Sequence, residues 1–170
     1  MPSSMPSDVP SFVPSFVPSF EPSKSLMPST SYEPSLTPSL SLAPSLSQRY
    51  ILEILYQATN GANWGDNSGW LVPGSDECNW FGVTCDSAGM VIEIHLRSNN
   101  LVGTIPNEIG SLRMVNYMDF NRNNLDGTIP ADLGNLSQLV VFAFRNNNLD
   151  GTIPSEIENL SQLGEFNICV

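Results

Sequence analysis

The sequence predicts an α/β solenoid, a fold in which short repeated units stack along one axis. The main observation is a phrase that recurs every 24 residues, as NNLVGTIPNEIGSL from Asn99, NNLDGTIPADLGNL from Asn123 and NNLDGTIPSEIENL from Asn147. A unit this short cannot bury its apolar side alone, so neighbouring units must stack and share one core. An apolar pattern in register with the phrase, and an aromatic segment with two cysteines before it, favour the same fold. We therefore expect function on an extended face.

Apolar residues align at the same spacing and predict one short strand in each unit. Side chains two positions apart lie on one face of a strand, so Ile94 and Leu96 would both face the core and successive strands would pair in parallel. The Gly-Thr-Ile-Pro segment predicts a bend, followed by a short helical turn from Asn107 to Leu112. The aligned positions are Val91, Ile94 and Leu96, then Val115, Met118 and Phe120, then Leu139, Phe142 and Phe144, then Leu163, Phe166 and Ile168.

Asn99, Asn123 and Asn147 occupy one position of the repeat, where the chain leaves each strand. An amide side chain has donors and an acceptor, so it can satisfy backbone groups of adjacent turns. We interpret these residues as a structural ladder. The alternative is a row of ligand-binding amides.

The chain is expected to divide into a stalk (1–47), an N-terminal cap (48–90) and repeats (91–170), the latter as 91–114, 115–138, 139–162 and an incomplete 163–170. Pro-Ser occurs ten times in the stalk. Frequent proline favours polyproline II and disfavours helix and sheet, so we expect a disordered or semi-rigid linker. Adhesion, or binding to a proline-recognising domain, is the alternative.

The cap should begin with a helix. Ser45 and Gln48 have capping-box spacing ahead of an apolar run, and Asn60-Gly61 supplies a left-handed residue to end the helix near Thr59. Three tryptophans and two cysteines then follow within 22 residues, as expected for loops that cover the open end of a solenoid.

Cys78 and Cys85 predict a disulfide. A zinc site is the competing interpretation, but zinc takes four ligands and only His95 and Cys169 remain as further soft donors. A disulfide implies an oxidising compartment.

The repeat pattern L-x-x-L-x-L-x-x-N-N-L-x-G-x-I-P resembles the plant-type leucine-rich repeat. The segments NGANW at 60–64 and CNWFGVTC at 78–85 resemble the N-terminal cap of that family, so the resemblance covers 48–170. With its Pro-Ser stalk, the chain is most similar to algal surface members. The resemblance implies a horseshoe or superhelix with a concave parallel sheet, short helical turns on the convex side and a second small sheet near Gly-x-Ile-Pro.

The family resemblance also implies function, because its members are typically extracellular recognition modules. We expect an extracellular or cell-surface module that binds a protein, peptide or cell-wall glycan through the concave sheet. One alternative is a structural cell-wall or adhesion protein with the repeats as spacer. Another is an ectodomain fragment of a receptor-like kinase. The start lacks a signal-peptide pattern and no closing cap follows the repeats, so we expect a fragment of a longer protein.

Charge and composition narrow the partners. A net charge of -11 disfavours nucleic acid and anionic membranes. The apolar stretches are shorter than the roughly 20 residues that span a bilayer, so we expect no membrane insertion. We expect no cofactor, no metal and no enzyme activity, because no nucleophile or second acid aligns with His95 and Asp119.

Ligand contacts are expected on the concave face, in three columns of side chains. Arg97 and Arg145 could hold a carboxylate or uronate group, although a solvated face whose arginines pair with acids such as Asp119 is the simpler alternative. The columns are Glu93, Tyr117, Val141 and Glu165; His95, Asp119, Ala143 and Asn167; and Arg97, Asn121 and Arg145. The candidate ligand-binding residues are Glu93, His95, Arg97, Tyr117, Asp119, Asn121, Val141 and Arg145.

Two glycosylation sequons stand at one repeat position, at Asn135 and Asn159. We expect both on the convex side, away from the concave sheet.

Overall fold

A computed structural model describes residues 46–168. The predicted stalk, apart from its last two residues, and Cys169, the further soft donor named above, lie outside the described residues. One α-helix, seven short strands and five 3₁₀ helices follow one another over this range. They are α1 (Gln48–Ala58), β1 (Val83–Cys85), β2 (Val91–His95), β3 (Val102–Thr104), β4 (Tyr117–Asp119), β5 (Asn124–Asp126), β6 (Val141–Ala143) and β7 (Glu165–Asn167), with 3₁₀ helices at Gly61–Asn63, Glu77–Asn79, Asn107–Ser111, Ala131–Asn135 and Ser155–Asn159.

Helix α1 begins two residues later than the capping-box pattern predicts. Its N-cap is Ser47, whose side chain accepts a hydrogen bond from the Tyr50 N–H at 3.2 Å. The prediction of Ser45 as the cap was wrong because the Gln48 side chain is used elsewhere. Its amide oxygen accepts from the Val91 N–H at 3.0 Å, which ties the start of the helix to the start of β2.

The helix ends where the sequence predicts. Thr59 is the C-cap, and Asn60 follows in the left-handed conformation with φ 57°. Ile51, Leu52 and Leu55 form the buried face of α1, as the helical spacing of apolar residues requires. This face belongs to the same hydrophobic cluster as the repeats, so α1 and the repeats share one core.

The main sheet has the strand order β1-β2-β4-β6-β7. Strands β2, β4, β6 and β7 pair in parallel, as the repeat predicts. Strand β1 pairs antiparallel to β2, with an irregularity between Thr84 and Cys85, and this pairing was not predicted. It arises because the turn at 86–90 is short, closed by a bond from the Asp86 N–H to the Met90 carbonyl oxygen at 2.9 Å, and a tight turn joins only antiparallel strands.

The opposite side of the repeats consists of the 3₁₀ helices Asn107–Ser111, Ala131–Asn135 and Ser155–Asn159, which we call the 3₁₀ side. We call residues 91–114, 115–138 and 139–162 the first, second and third coil. Strands β3 and β5 pair in parallel as a second sheet between the main sheet and the 3₁₀ side in chain order, as the family resemblance implies. On the 3₁₀ side the first and second coils approach closely. A Cβ built on Gly110, in the helix Asn107–Ser111, would lie 2.1 Å from the Asp132 carbonyl oxygen.

The asparagine ladder lies inside the coils. Asn123 Oδ1 accepts from the N–H groups of Asn99 and Leu101 in the first coil, at 2.9 and 3.0 Å. Its Nδ2 donates to the carbonyl oxygens of Leu96 and Phe120, at 2.8 and 2.9 Å. Asn147 makes three of the four equivalent contacts between the second and third coils, to the Leu125 N–H and to the carbonyl oxygens of Phe120 and Phe144. Each amide therefore fastens its own coil to the preceding one.

Aromatic packing holds the segment between α1 and β2. The rings of Trp64 and Trp70, and those of Trp70 and Trp80, have centroids 4.8 Å apart. The disulfide between Cys78 and Cys85 joins the 3₁₀ helix Glu77–Asn79 to β1. Asn99 fastens this segment to the first coil, since its Oδ1 accepts from the Asp66 N–H and its Nδ2 donates to the Asp66 carbonyl oxygen.

Candidate functional site

The candidate site is the face of the main sheet that points away from the core, here called the open face. Strand pairing aligns its side chains in two rows that cross β2, β4, β6 and β7. Neighbouring members of a row lie about 4.8 Å apart, the spacing of paired strands. The first row is Glu93, Tyr117, Val141 and Glu165, and the second is His95, Asp119, Ala143 and Asn167.

Three of the predicted open-face residues are not available to a ligand in the way the sequence suggested. Asp119, Asn121 and Ala143 are only 7%, 8% and 3% exposed. The two polar residues are occupied by backbone contacts. Asp119 Oδ1 accepts from the Asn121 N–H at 2.9 Å, and Asn121 Oδ1 accepts from the Arg145 N–H at 2.5 Å. The expectation that these side chains are exposed was therefore wrong.

Arginine side chains gather where the chain leaves the strands. Arg97, Arg122 and Arg145 line one shallow cavity of about 330 Å³. All three side chains are exposed. We call them the arginine cluster. The other lining residues are Asn121, Asn146, Glu165 and Asn167.

The turn after β4 explains how Arg122 joins the cluster. Arg122 has φ 58°, in the left-handed region, and its N–H donates to the Arg145 carbonyl oxygen at 2.8 Å. Ser98 and Asn146 adopt the same conformation at the equivalent positions of their coils. The left-handed residue turns the chain out of the strand direction, so the residue after Asn121 also reaches the open face.

The cluster carries unusual charge for this chain. Six basic residues face 17 acidic ones in the whole sequence, and half of the basic residues line this one cavity. The ion pair between Arg97 Nη1 and Asp119 Oδ2 measures 3.9 Å, at the outer limit of a salt bridge. Guanidinium groups bind carboxylates through paired hydrogen bonds, so the cavity is suited to a carboxylate of a ligand.

The rows beside the cluster offer aromatic and acidic contacts. The rings of His95 and Tyr117 stack with centroids 4.5 Å apart, and His95 Nε2 lies 2.9 Å from Glu93 Oε2. Burial is the main cause of a raised pKa for the Tyr117 phenol. The Asp119 and Glu165 carboxylates raise that pKa further, whereas Arg97 lowers it.

The sequence prediction missed Arg122 and Asn146 as members of the site. Columns were built from positions two apart, as in a straight strand, and residue 122 stands one position after the column of Arg97, Asn121 and Arg145. The signal available in the sequence was Asn146, since asparagine is enriched at left-handed positions and marks a turn there.

Two further findings concern residues 46–168. Over this range, no three or more His, Cys, Asp or Glu side chains come together in an arrangement that could hold a metal ion. Helix α1 is too short and too polar to cross a bilayer, and it is the only α-helix within the described range.

Comparisons with known proteins agree with the stacked coils. A leucine-rich repeat family model matches residues 90–112, 114–136 and 138–160. The solved PEPR1–AtPEP1 structure is similar with a TM-score of 0.64 and 27% identity over 72% of this chain and 18% of that chain. The BIR3–SERK2 complex from Arabidopsis thaliana has a TM-score of 0.57 and 27% identity over 68% of this chain and 67% of that chain.

A third similar structure is the Arabidopsis receptor kinase HAESA in complex with the peptide hormone IDA and the co-receptor SERK1. Its TM-score is 0.57 and its identity 26%, over 72% of this chain and 21% of that chain. The chain thus spans about a fifth of the length of the matched chains in the PEPR1 and HAESA structures. The strand register shows a solenoid of stacked coils, and these matches show that its fold is similar to that of leucine-rich repeat proteins.

Proposed function

We propose that this chain is a leucine-rich repeat protein and acts as an extracellular recognition module, which binds an acidic peptide or an acidic segment of a protein across its open face. The arginine cluster carries the proposal: three exposed arginines around one cavity, on a chain with net charge -11. Acidic chains repel acidic partners in general, so a local positive site would both attract and orient such a ligand.

The proposed ligand lies across neighbouring coils in an extended form. Its carboxylate contacts Arg97, Arg122 and Arg145, and its adjoining residues contact Tyr117 and Val141, which are half-buried on the same face. Buried aromatic and arginine contacts commonly contribute most of the binding free energy at protein interfaces. A compact carboxylate could contact the arginine cluster alone, whereas an extended peptide could contact the cluster together with Tyr117 and Val141, which lie outside that cavity.

The disulfide supports an extracellular location, and one similar structure supports the class of partner. The disulfide between Cys78 and Cys85 is of a kind that persists in oxidising compartments. Among the similar structures, the HAESA complex contains a peptide hormone and a co-receptor protein. Peptide and protein partners are therefore the ligand classes that we propose for this chain.

A peptide screen tests the proposal. The full chain is incubated with a library of acidic, basic and neutral peptides of equal length, at low and at high salt. We expect acidic peptides to be retained, and we expect retention to weaken as salt screens the arginine charges. A uronate-containing oligosaccharide, which presents the same carboxylate, is included as a competitor.

The matched variants are Arg97→Ala/Arg122→Ala/Arg145→Ala and Arg113→Ala. Arg113 is exposed as well, but it lies outside the cavity of the cluster. The triple variant should lose retention of acidic peptides and Arg113→Ala should keep it. Retention that survives the triple substitution, or a preference for basic peptides, contradicts the proposed site. Binding of the oligosaccharide alone would overturn the peptide assignment.

A further inference from the structure

The two sequons of the chain occupy the same place on neighbouring coils. Asn135 is the last residue of the 3₁₀ helix Ala131–Asn135, and Asn159 is the last residue of Ser155–Asn159. Asn135-Leu-Ser and Asn159-Leu-Ser are the two Asn-x-Ser/Thr sequences in all 170 residues. Both therefore lie on the 3₁₀ side, and neither belongs to the open face.

The local structure of each sequon suits an attached sugar. The middle leucines, Leu136 and Leu160, are buried in the core. The asparagine and serine on either side are exposed in both coils. The Ser137 N–H donates to the Asn135 carbonyl oxygen at 3.0 Å, and the third coil repeats this turn with a distance of 2.9 Å. A buried leucine thus anchors the turn while the amide points into solvent.

We propose that Asn135 and Asn159 are N-glycosylated, an inference that rests on the extracellular location proposed above. In this step Asn Nδ2 forms a bond to C1 of an oligosaccharide carried on a lipid diphosphate. The bond between C1 and the phosphate oxygen breaks, the lipid diphosphate leaves with the electron pair, and the amide loses one proton. The co-reactant class is a lipid-linked oligosaccharide.

The first coil lacks the modification because its sequence differs at the two key positions. Ser111 stands where the second coil has Asn135, and Arg113 stands where it has Ser137. Ser111 and Arg113 also line an apolar groove of about 790 Å³, together with Met90 and Met114. Glycans would therefore cover the 3₁₀ side of the second and third coils and leave this groove and the open face uncovered.

Secretion of the full chain from eukaryotic cells, behind an added signal peptide, tests the inference. Treatment of the secreted chain with peptide N-glycosidase should lower its apparent mass on a gel by the mass of two glycans. Asn135→Gln and Asn159→Gln should each lose one glycan, and the double variant should lose both. The matched control is Ser111→Asn/Arg113→Ser, which places the same sequon in the first coil and should add a third glycan.

The control separates two kinds of failure. If the control carries a glycan while Asn135 and Asn159 carry none, the chain has met the glycosylating enzyme and the inference is overturned. If both sites carry glycans and acidic peptides fail to bind, the proposed function fails and this inference stands. Affinity for an acidic peptide should change less than about twofold on deglycosylation. A gain of about tenfold or more would contradict glycans that leave the open face free.

Discussion

The interior of the coils and the open face of the sheet use the same repeat in opposite ways. Inside, positions 99, 123 and 147 are all asparagine, and their amides bond backbone groups of neighbouring coils. Two residues earlier, positions 97, 121 and 145 are arginine, asparagine and arginine. The same residue type, asparagine, recurs at the interior position because the backbone groups that its amide must bond are the same in every coil. Arg97 and Arg145 face solvent, whereas Asn121 is buried and accepts from the Arg145 N–H, so these three positions share no common requirement and are free to differ.

This contrast assigns different properties to residues that are near neighbours in sequence. Substitutions inside the coils should lower the free energy of unfolding and should affect binding only through unfolding. Substitutions in the arginine cluster should lower affinity and leave stability nearly unchanged. Measuring both the free energy of unfolding and the affinity on each variant tests this contrast.

The largest loss of stability is expected for Asn123→Ala. The substitution leaves three buried backbone groups, in Asn99, Leu101 and Leu96, without their amide partner. The Phe120 carbonyl oxygen keeps its bond from Asn147 Nδ2. An unsatisfied buried group costs about 1–3 kcal/mol, so we expect a total of about 3–4 kcal/mol after relaxation. Chemical denaturation measures the change. The control is Asn124→Ala, at an exposed neighbour, which should cost less than about 1 kcal/mol. Equal losses in the two variants would contradict the structural ladder.

The next largest loss is expected for Gly110→Ala. The added Cβ would lie 2.1 Å from the Asp132 carbonyl oxygen, and this backbone atom can move only if the second coil shifts. Overpacking of this kind costs about 1–3 kcal/mol, and we expect the upper end. The control is Glu158→Ala, because residue 158 occupies the same repeat position in the third coil and is exposed. It should change stability by less than about 0.5 kcal/mol.

Removal of the disulfide tests whether the segment before the repeats contributes to stability, as the interior does, or to binding, as the open face does. Cys78→Ser/Cys85→Ser opens a loop with a sequence separation of 7, for which the chain-entropy estimate is a loss of about 2–3 kcal/mol. The fold should persist, because the tryptophan packing and the bonds of Asn99 to Asp66 remain. Thermal unfolding followed by tryptophan fluorescence measures the loss of stability. The affinity for acidic peptides, measured well below the unfolding temperature, should not change. A lower affinity in the variant would contradict the expected independence of the arginine cluster from the disulfide.

A smaller effect is expected at high pH from Tyr117. Its pKa is raised in the folded state, so the folded form favours the neutral phenol. The resulting stability is present below the unfolded pKa of about 10 and is lost as the pH rises through the folded pKa. Tyr117→Phe should therefore lose less stability between about pH 9 and 11 than the wild type. Tyr50→Phe, at an exposed residue of α1, is the control. Identical pH profiles for wild type and Tyr117→Phe would contradict the assignment.

Much of the fold follows from the sequence because each repeated position reports the same physical requirement several times. Apolar spacing predicted the parallel strands, Asn60 marked the end of α1, and Cys78 and Cys85 predicted the disulfide. The antiparallel β1 was not predicted because it occurs once and depends on the short turn at 86–90. The cap of α1 was misplaced because Gln48 contacts Val91, which is distant in the sequence.

The candidate site was predicted less completely, for a related reason. The aligned positions of the repeat predicted Arg97 and Arg145 as site residues. The exposure of a side chain, however, depends on hydrogen bonds that a sequence pattern does not reveal. Asp119 and Asn121 are buried because they bond the backbone of the turns. Arg122 was missed because a left-handed residue changes the direction of the chain. The exposure of the variable positions of a repeat thus has to be read from the structure, whereas the role of the constant positions can be predicted from the sequence.

The most direct test of this division is an NMR titration of the arginine side chains with the tightest acidic peptide from the screen. The sequence contains five arginines, so each Nε–H signal can be followed. The signals of Arg97, Arg122 and Arg145 should shift together with one dissociation constant. Those of Arg49 and Arg113, which lie outside the cavity, should stay in place. Saturable binding that shifts Arg113 and leaves the cluster unchanged would contradict recognition through the open face.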